Sequence, residues 1–65
     1  MGGAYGREIE RRLKEAGCTF VRKSKGDHEI WFSPITNRNF VFDRGVRVRH
    51  TANGTLKDAG LGKAF

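Results

Sequence analysis

Cysteine, proline and long apolar runs are all scarce in this sequence of 65 residues. Its one cysteine, Cys18, excludes an intrachain disulfide framework, and without a Cys/His cluster a structural zinc site is not expected. No apolar run approaches the roughly 20 residues that span a bilayer, and the first residues lack the apolar core of a signal peptide. We therefore expect a cytoplasmic protein without a membrane segment.

Acidic residues are also few, and their arrangement does not suggest a metal site. Seven aspartates and glutamates stand against thirteen lysines and arginines. Three of the seven, Glu8, Glu10 and Glu15, each lie four residues from a basic residue, a spacing at which side chains meet across one helical turn. The other four acids are scattered singly. The sequence therefore disfavours a metal-dependent nuclease, and without a P-loop, a dinucleotide fingerprint or a Ser/His/Asp order it predicts no metal and no cofactor.

The short chain predicts a single domain that covers residues 1–65. At this size one hydrophobic core is only just sufficient, so a large active-site cleft is not expected. The opening Met-Gly-Gly is not followed by a myristoylation motif, because Gly6 occupies the position that requires serine or threonine. We therefore expect residues 1–4 to form a flexible start.

Apolar periodicity predicts a first helix over about Tyr5–Ala16. Ile9 and Leu13 recur at helical spacing in this segment, and Gly17 follows it as a C-terminal cap. Three β-rich segments, separated by turn residues, come next. They predict the strands Thr19–Lys23, His28–Ser33 and Phe40–Phe42.

The segment after the third strand has two interpretations. Val46–Arg49 alternates valine and arginine, which fits an additional edge strand or an extended arm with both arginines on one side. A short last helix is predicted over residues 54–59, capped by Asn53 or Thr51 and closed by Gly60.

The element order α-β-β-β-α predicts a two-layer α+β domain. Two helices with apolar stripes cover one face of a three-stranded antiparallel sheet, and the other face stays open. This arrangement resembles the double-stranded-RNA-binding-domain fold. We expect Phe32, Phe40 and Phe42 in the core, whereas Trp31, which shares strand parity with Glu29, is the aromatic best placed for exposure and stacking on bases.

Positive charge is concentrated in the middle of the chain. Between Arg22 and Arg49 there are seven basic residues and three acids, whereas the predicted first helix is nearly balanced. The formal net charge of +6 therefore predicts a face that binds a polyanion such as nucleic acid. The alternative is a solvated surface that keeps a small protein soluble. The candidate RNA contacts are Lys23, Lys25, Arg38, Arg47, Arg49 and His50.

His28 is the residue best suited to chemistry. It follows a turn that contains Gly26, and a free imidazole exchanges protons near neutral pH, so it can act as base and as acid. Asp27 and Glu29 flank it and would orient one ring nitrogen or favour its charged form. The alternative is a strand-end histidine satisfied by a backbone carbonyl, because one histidine is not a catalytic constellation. His50 has three interpretations: a phosphate contact, a proton-transfer group or a loop bridge.

A basic domain with an accessible histidine has the minimum equipment to cleave RNA. The substrate supplies its own nucleophile, the 2′-hydroxyl, so the enzyme needs only a base, an acid and cations that stabilise charge on the phosphate. DNA lacks this hydroxyl and would not be cut by that route. The competing functions are a non-catalytic RNA-binding module and a protein-interaction domain whose basic face binds an acidic partner.

Two stretches carry a family resemblance. One, EAGCTFVRKSKGDHEIW, runs from the first helix into the second strand, and the other, RHTANGTLKDAGL, lies near the C-terminus. Together they resemble the HicA toxins of bacterial toxin–antitoxin systems, from about Arg7 to Phe65. The resemblance implies the fold named above, a metal-independent endoribonuclease that cleaves mRNA, and inhibition by a HicB-type antitoxin. It also implies that His28, after the glycine turn, is the catalytic histidine, and it assigns no role to His50.

Overall fold

A computed structural model describes residues 5–65, and the predicted flexible start at residues 1–4 lies outside the described residues. Within residues 5–65, a helix precedes three strands and a second helix follows them, as predicted. The elements are α1 Gly6–Glu15, β1 Thr19–Lys23, β2 His28–Ser33, β3 Arg38–Asp43 and α2 Arg49–Asp58.

The two helices bury one stripe each and end at glycines. Ile9 and Leu13 of α1 are fully buried, as their helical spacing predicts. Gly17 follows α1 with a φ of +88°, and Gly60 follows α2 with a φ of +85°, so both predicted C-terminal glycines are confirmed. Each helix has ten residues, and within residues 5–65 neither has the length and apolar character needed to cross a membrane.

The three strands form one antiparallel sheet in the order β1-β2-β3. The core lies between one face of this sheet and the two helices, so the predicted two-layer α+β fold is confirmed. The large apolar side chains buried there are Ile9, Leu13, Trp31, Phe40, Phe42 and Leu56. The opposite sheet face is open and presents Ile30 and Val41, which are cross-strand partners.

Trp31 is buried, not exposed, with 2% of its surface accessible. Its Nε1 donates a hydrogen bond of 2.9 Å to the carboxylate of Glu29, which is also buried on the core side of the sheet. Trp31 was predicted to be exposed because it shares strand parity with the charged residue Glu29. This prediction is wrong, because the charge of Glu29 is neutralised inside the protein. Phe32 has the opposite parity and lies partly exposed on the open face, so its predicted core position is also wrong.

Two element boundaries differ from the prediction by two residues or more. β3 starts at Arg38 and not at Phe40, because Asn37 adopts a φ of 58° and completes the preceding turn earlier than expected. α2 starts at Arg49 and not near residue 54, so residues 46–49 do not form an edge strand. The unpaired link at residues 46–48 is anchored by Val46, which is 3% exposed and belongs to the core.

Candidate active site

His28 is the first residue of β2 and follows the turn at residues 24–27. Gly26 adopts a φ of +55° in this turn, a left-handed conformation that glycine accepts without strain. The His28 N–H donates to the Lys25 carbonyl at 2.9 Å, and the His28 carbonyl accepts from the Ser24 N–H at 2.8 Å. These bonds use only the backbone, and 52% of the side chain is exposed. The turn therefore fixes the backbone of His28, and its half-exposed imidazole is open to a ligand.

Asp43 is the carboxylate that faces His28. The two residues are cross-strand partners, so their side chains share one face of the sheet. His28 Nε2 lies 3.8 Å from Asp43 Oδ2, which is longer than a hydrogen bond and acts as a charge contact when His28 is protonated. Asp43 Oδ1 accepts a hydrogen bond of 3.0 Å from the Gly45 N–H, which holds the carboxylate in place.

Asp43 was not predicted as a site residue, because the predicted third strand ended at Phe42. The signal was present in the hairpin register, since pairing Ser33 with Arg38 across the turn places His28 opposite Asp43.

Glu29 does not approach His28, although it is the next residue in the sequence. Successive strand residues point to opposite faces, and Glu29 lies on the core side with 8% of its side chain exposed. Its carboxylate accepts hydrogen bonds from Arg44 at 3.0 and 3.1 Å and from Trp31 at 2.9 Å. The expectation that Glu29 orients the imidazole is therefore wrong, and Glu29 serves the core instead.

Arg44 neutralises two carboxylates, so its charge is not available to attract a polyanion. Besides Glu29, it binds Glu10, whose Oε1 lies 2.7 Å from its guanidinium. Its guanidinium carbon also lies 5.2 Å from the centre of the Phe42 ring. Hydrogen bonds from Arg44 are the main cause of two lowered pKa values: that of Glu10, which falls to about 2, and that of Glu29. In return, the two carboxylates raise the pKa of Arg44.

An open groove separates the end of the sheet from α2 and has a volume of about 390 Å³. Its lining residues are His28, Val41 and Asp43 from the sheet and His50, Thr51, Gly54, Thr55 and Asp58 from α2. The two histidines therefore face the same space from different walls, and His50 is an exposed residue of the first helical turn, not a loop bridge. Within residues 5–65, no three His, Cys, Asp or Glu side chains form a group that could hold a metal ion.

Four of the predicted RNA contacts lie at the His28 end of the sheet. Lys25 belongs to the turn before His28, and Lys23 ends the neighbouring strand beside that turn. Arg47 lies in the link that leaves β3, and Arg49 is the first residue of α2, directly before the groove residue His50. All four side chains are exposed, so they are available to an anionic ligand near the groove.

Arg38 is the one predicted contact that the fold places elsewhere. It starts β3, whereas Asp43 ends the same strand. Five residues of strand separate the two ends by about 17 Å at about 3.4 Å per residue. The structure therefore does not bring Arg38 to the groove.

Comparison with protein families identifies the chain. The family model for the HicA toxin of bacterial toxin–antitoxin systems matches residues 6–61. The chain belongs to the HicA toxin family. In this HicA-family chain the matched segment contains both helices and all three strands, together with His28, Asp43 and His50. No curated protein and no solved structure matched the chain.

Proposed function

We propose that this HicA-family toxin is an endoribonuclease that cleaves mRNA in the cytoplasm, with His28 as general acid or base. The observation that carries the proposal is the half-exposed imidazole on a groove wall, with Asp43 3.8 Å from its Nε2 and His50 on the facing helix. Family membership supports the role of a toxin. The exposed arginines and lysines near the groove supply the attraction for a polyanion.

The proposed reaction needs two proton transfers and no metal ion. The 2′-oxygen of the RNA attacks the adjacent phosphorus while its proton passes to a base, and the 5′-oxygen leaves with a proton from an acid. The products are a 2′,3′-cyclic phosphate and a 5′-hydroxyl. His28 carries out one of these transfers, and Asp43 stabilises the imidazolium that forms when His28 takes the proton. Arg47 and Arg49 balance the charge that develops on the phosphate oxygens.

The chelated cleavage assay tests this proposal against a non-catalytic RNA-binding module of the same fold. Purified protein is incubated with single-stranded RNA in excess chelator, and the products are resolved by length. We expect new fragments, since the proposed mechanism takes its nucleophile from the substrate. Both functions predict salt-sensitive RNA binding, so binding alone does not separate them. Intact RNA under these conditions supports the module.

We also propose that a HicB-type antitoxin neutralises the toxin by covering the His28 groove. Exposed Arg47 and Arg49, which shortly precede the groove residue His50 in the chain, would attract acidic residues of the antitoxin and speed association. Reversing both charges, in Arg47→Glu/Arg49→Glu, is expected to slow association at low salt by about 10-fold or more in stopped-flow mixing.

A matched control for this experiment is Arg7→Glu/Lys14→Glu, which changes the net charge equally but on α1. We expect the control to associate much faster than the Arg47/Arg49 variant. Equal rates for the two variants would mean that net charge, and not this face, controls the encounter.

A further inference from the structure

A second groove lies between α2 and the C-terminal segment and has a volume of about 430 Å³. Its lining residues are His50, Asn53, Gly54, Lys57, Gly62 and Lys63. None of these carries a negative charge, whereas the groove at His28 also contains Asp43 and Asp58. An anionic chain that leaves the His28 groove therefore meets only neutral and basic side chains in this direction.

The two grooves are neighbours and share His50 and Gly54. His50 lies at the start of α2 and Gly54 lies one turn later, so the shared boundary follows one face of this helix. Lys57 continues the same face by roughly another turn. This face therefore links the imidazole of His28 to the lysines of the second groove.

Gly54 has no packing reason to be glycine. A Cβ at this position would meet nothing within 4 Å, and the residue lies inside a helix, where glycine is a weak former. Gly6 and Gly45 differ, because a Cβ at Gly6 would collide with the Arg44 carbonyl and one at Gly45 would lie 2.7 Å from the Asp27 carboxylate. Gly54 lines both grooves, and its missing side chain leaves room for a ligand to approach the helix backbone closely.

The far wall of the second groove is held against α2. Asn53 Oδ1 accepts hydrogen bonds from the backbone N–H groups of Ala64 at 3.1 Å and Phe65 at 2.9 Å, and Asn53 Nδ2 donates to the Phe65 carbonyl at 3.2 Å. The Phe65 ring packs on Tyr5 with ring centres 4.8 Å apart. Lys63 directly precedes this fastened segment, so its backbone is positioned before any ligand arrives.

We propose that the RNA strand next to the cleaved bond crosses α2 at Gly54 and enters the second groove, where Lys57 and Lys63 bind its phosphates. This inference rests on the proposed ribonuclease function, because it extends the path of the same substrate. Arg38 lies at the other end of β3 from the groove residue Asp43 and is not part of this path. The exit path follows α2 and not β3.

The first test measures RNA binding in the His28→Ala background, so that the RNA stays intact and the result does not depend on cleavage. Adding Lys57→Ala/Lys63→Ala is expected to weaken binding of a single-stranded oligonucleotide. It should also reduce the slope of log affinity against log salt by about 1.4, since each lost phosphate contact contributes about 0.7. The charge-matched control is Arg7→Ala/Lys14→Ala on α1, for which we expect the original slope.

An unchanged slope for the Lys57/Lys63 variant, or an equal loss in the α1 control, would overturn the inference. So would weaker binding to the antitoxin with unchanged binding to RNA, because the lysines would then serve the protein partner. Failure of the proposed function is recognised separately, as wild-type protein that leaves RNA intact in excess chelator.

The second test uses Gly54→Ala and Gly54→Leu. Both substitutions favour the helix, and the Cβ of alanine meets no steric obstacle, so the midpoint temperature of unfolding should rise by several degrees for Gly54→Ala. RNA affinity should fall in the same variants, and more for leucine than for alanine, because the side chain blocks the crossing. Higher stability with unchanged RNA affinity in both variants would contradict the path over Gly54.

Discussion

His28→Ala is expected to reduce RNA cleavage by about 10²–10⁴-fold, the usual contribution of a positioned acid or base. The variant removes the imidazole and leaves the turn backbone and the cations proposed to bind phosphate in place. Binding of RNA should therefore change little while the rate of cleavage falls. Initial rates at saturating RNA in excess chelator measure the loss, and toxicity on expression should disappear in parallel.

The fold of this variant serves as its internal control. The His28 side chain is 52% exposed and its hydrogen bonds to the turn use the backbone, so the thermal unfolding curve should match that of the wild type. Asp43→Asn is the companion variant, and we expect a smaller loss of rate with unchanged RNA binding. Undiminished cleavage by folded His28→Ala would remove His28 from the reaction.

Arg44→Ala is expected to lower the free energy of unfolding by about 3 kcal/mol. Breaking a buried ion pair from one side costs about 3–5 kcal/mol. The low end applies because 38% of the Arg44 side chain is exposed and water can reach the carboxylates it leaves behind. The loss of Arg44 destabilises the carboxylate of Glu29 most, because only 8% of the Glu29 side chain is exposed. A domain of this size has a total stability of only about 3–10 kcal/mol, so chemical denaturation should show a large shift.

The control for Arg44 is Arg11→Ala. Arg11 also binds two glutamates, Glu8 and Glu15, but this cluster lies on the exposed side of α1. Surface pairs of this kind contribute little, so we expect stability close to the wild type. Equal effects for Arg11 and Arg44 would show that the buried position of Glu29 is unimportant.

The ion pairs of Arg44 with Glu10 and Glu29 also predict how the stability of the fold depends on acid pH. The pKa of Glu10 is lowered from its ordinary value of 4.5 to about 2, and that of Glu29 is lowered as well. A lowered pKa in the folded state means that the stabilisation is complete above about pH 4.5 and is lost as the pH falls toward 2. Stability should therefore decrease across this interval in the wild type and decrease less in Arg44→Ala. Parallel curves for the two proteins would contradict the assignment.

Local patterns in the sequence predicted most of the fold because they depend on short-range physics. The spacing of Ile9 and Leu13 and the glycine that follows predicted α1 to within a residue at each end. The bounds of β1 and β2 were predicted correctly, since turn residues bracket each β-rich segment. The helix at the C-terminus was predicted to exist, but Arg49 was assigned to an edge strand or extended arm and residues 50–53 were placed before the helix.

Three features that escaped prediction depend on long-range contacts. Trp31 was misplaced because its neighbour in parity, Glu29, is neutralised by Arg44, which lies fifteen residues away in the chain. Asp43 was missed because its meeting with His28 follows from strand register, not from local composition. The shared groove of His28 and His50 follows from the docking of α2 beside β3, for which no spacing rule exists. The position of His28 at an accessible strand end, by contrast, was predictable from the turn that contains Gly26.

The most direct measurement of the central claim compares two forms of one RNA in excess chelator. The first form is all ribose, and the second carries a single 2′-deoxyribose on the 5′ side of the mapped cleavage bond. We predict that the wild-type protein cuts the first form to leave a 2′,3′-cyclic phosphate and leaves that bond intact in the second. Cleavage of the deoxy form at the same bond would show that the nucleophile is not the hydroxyl of the RNA, and the proposed mechanism would be wrong.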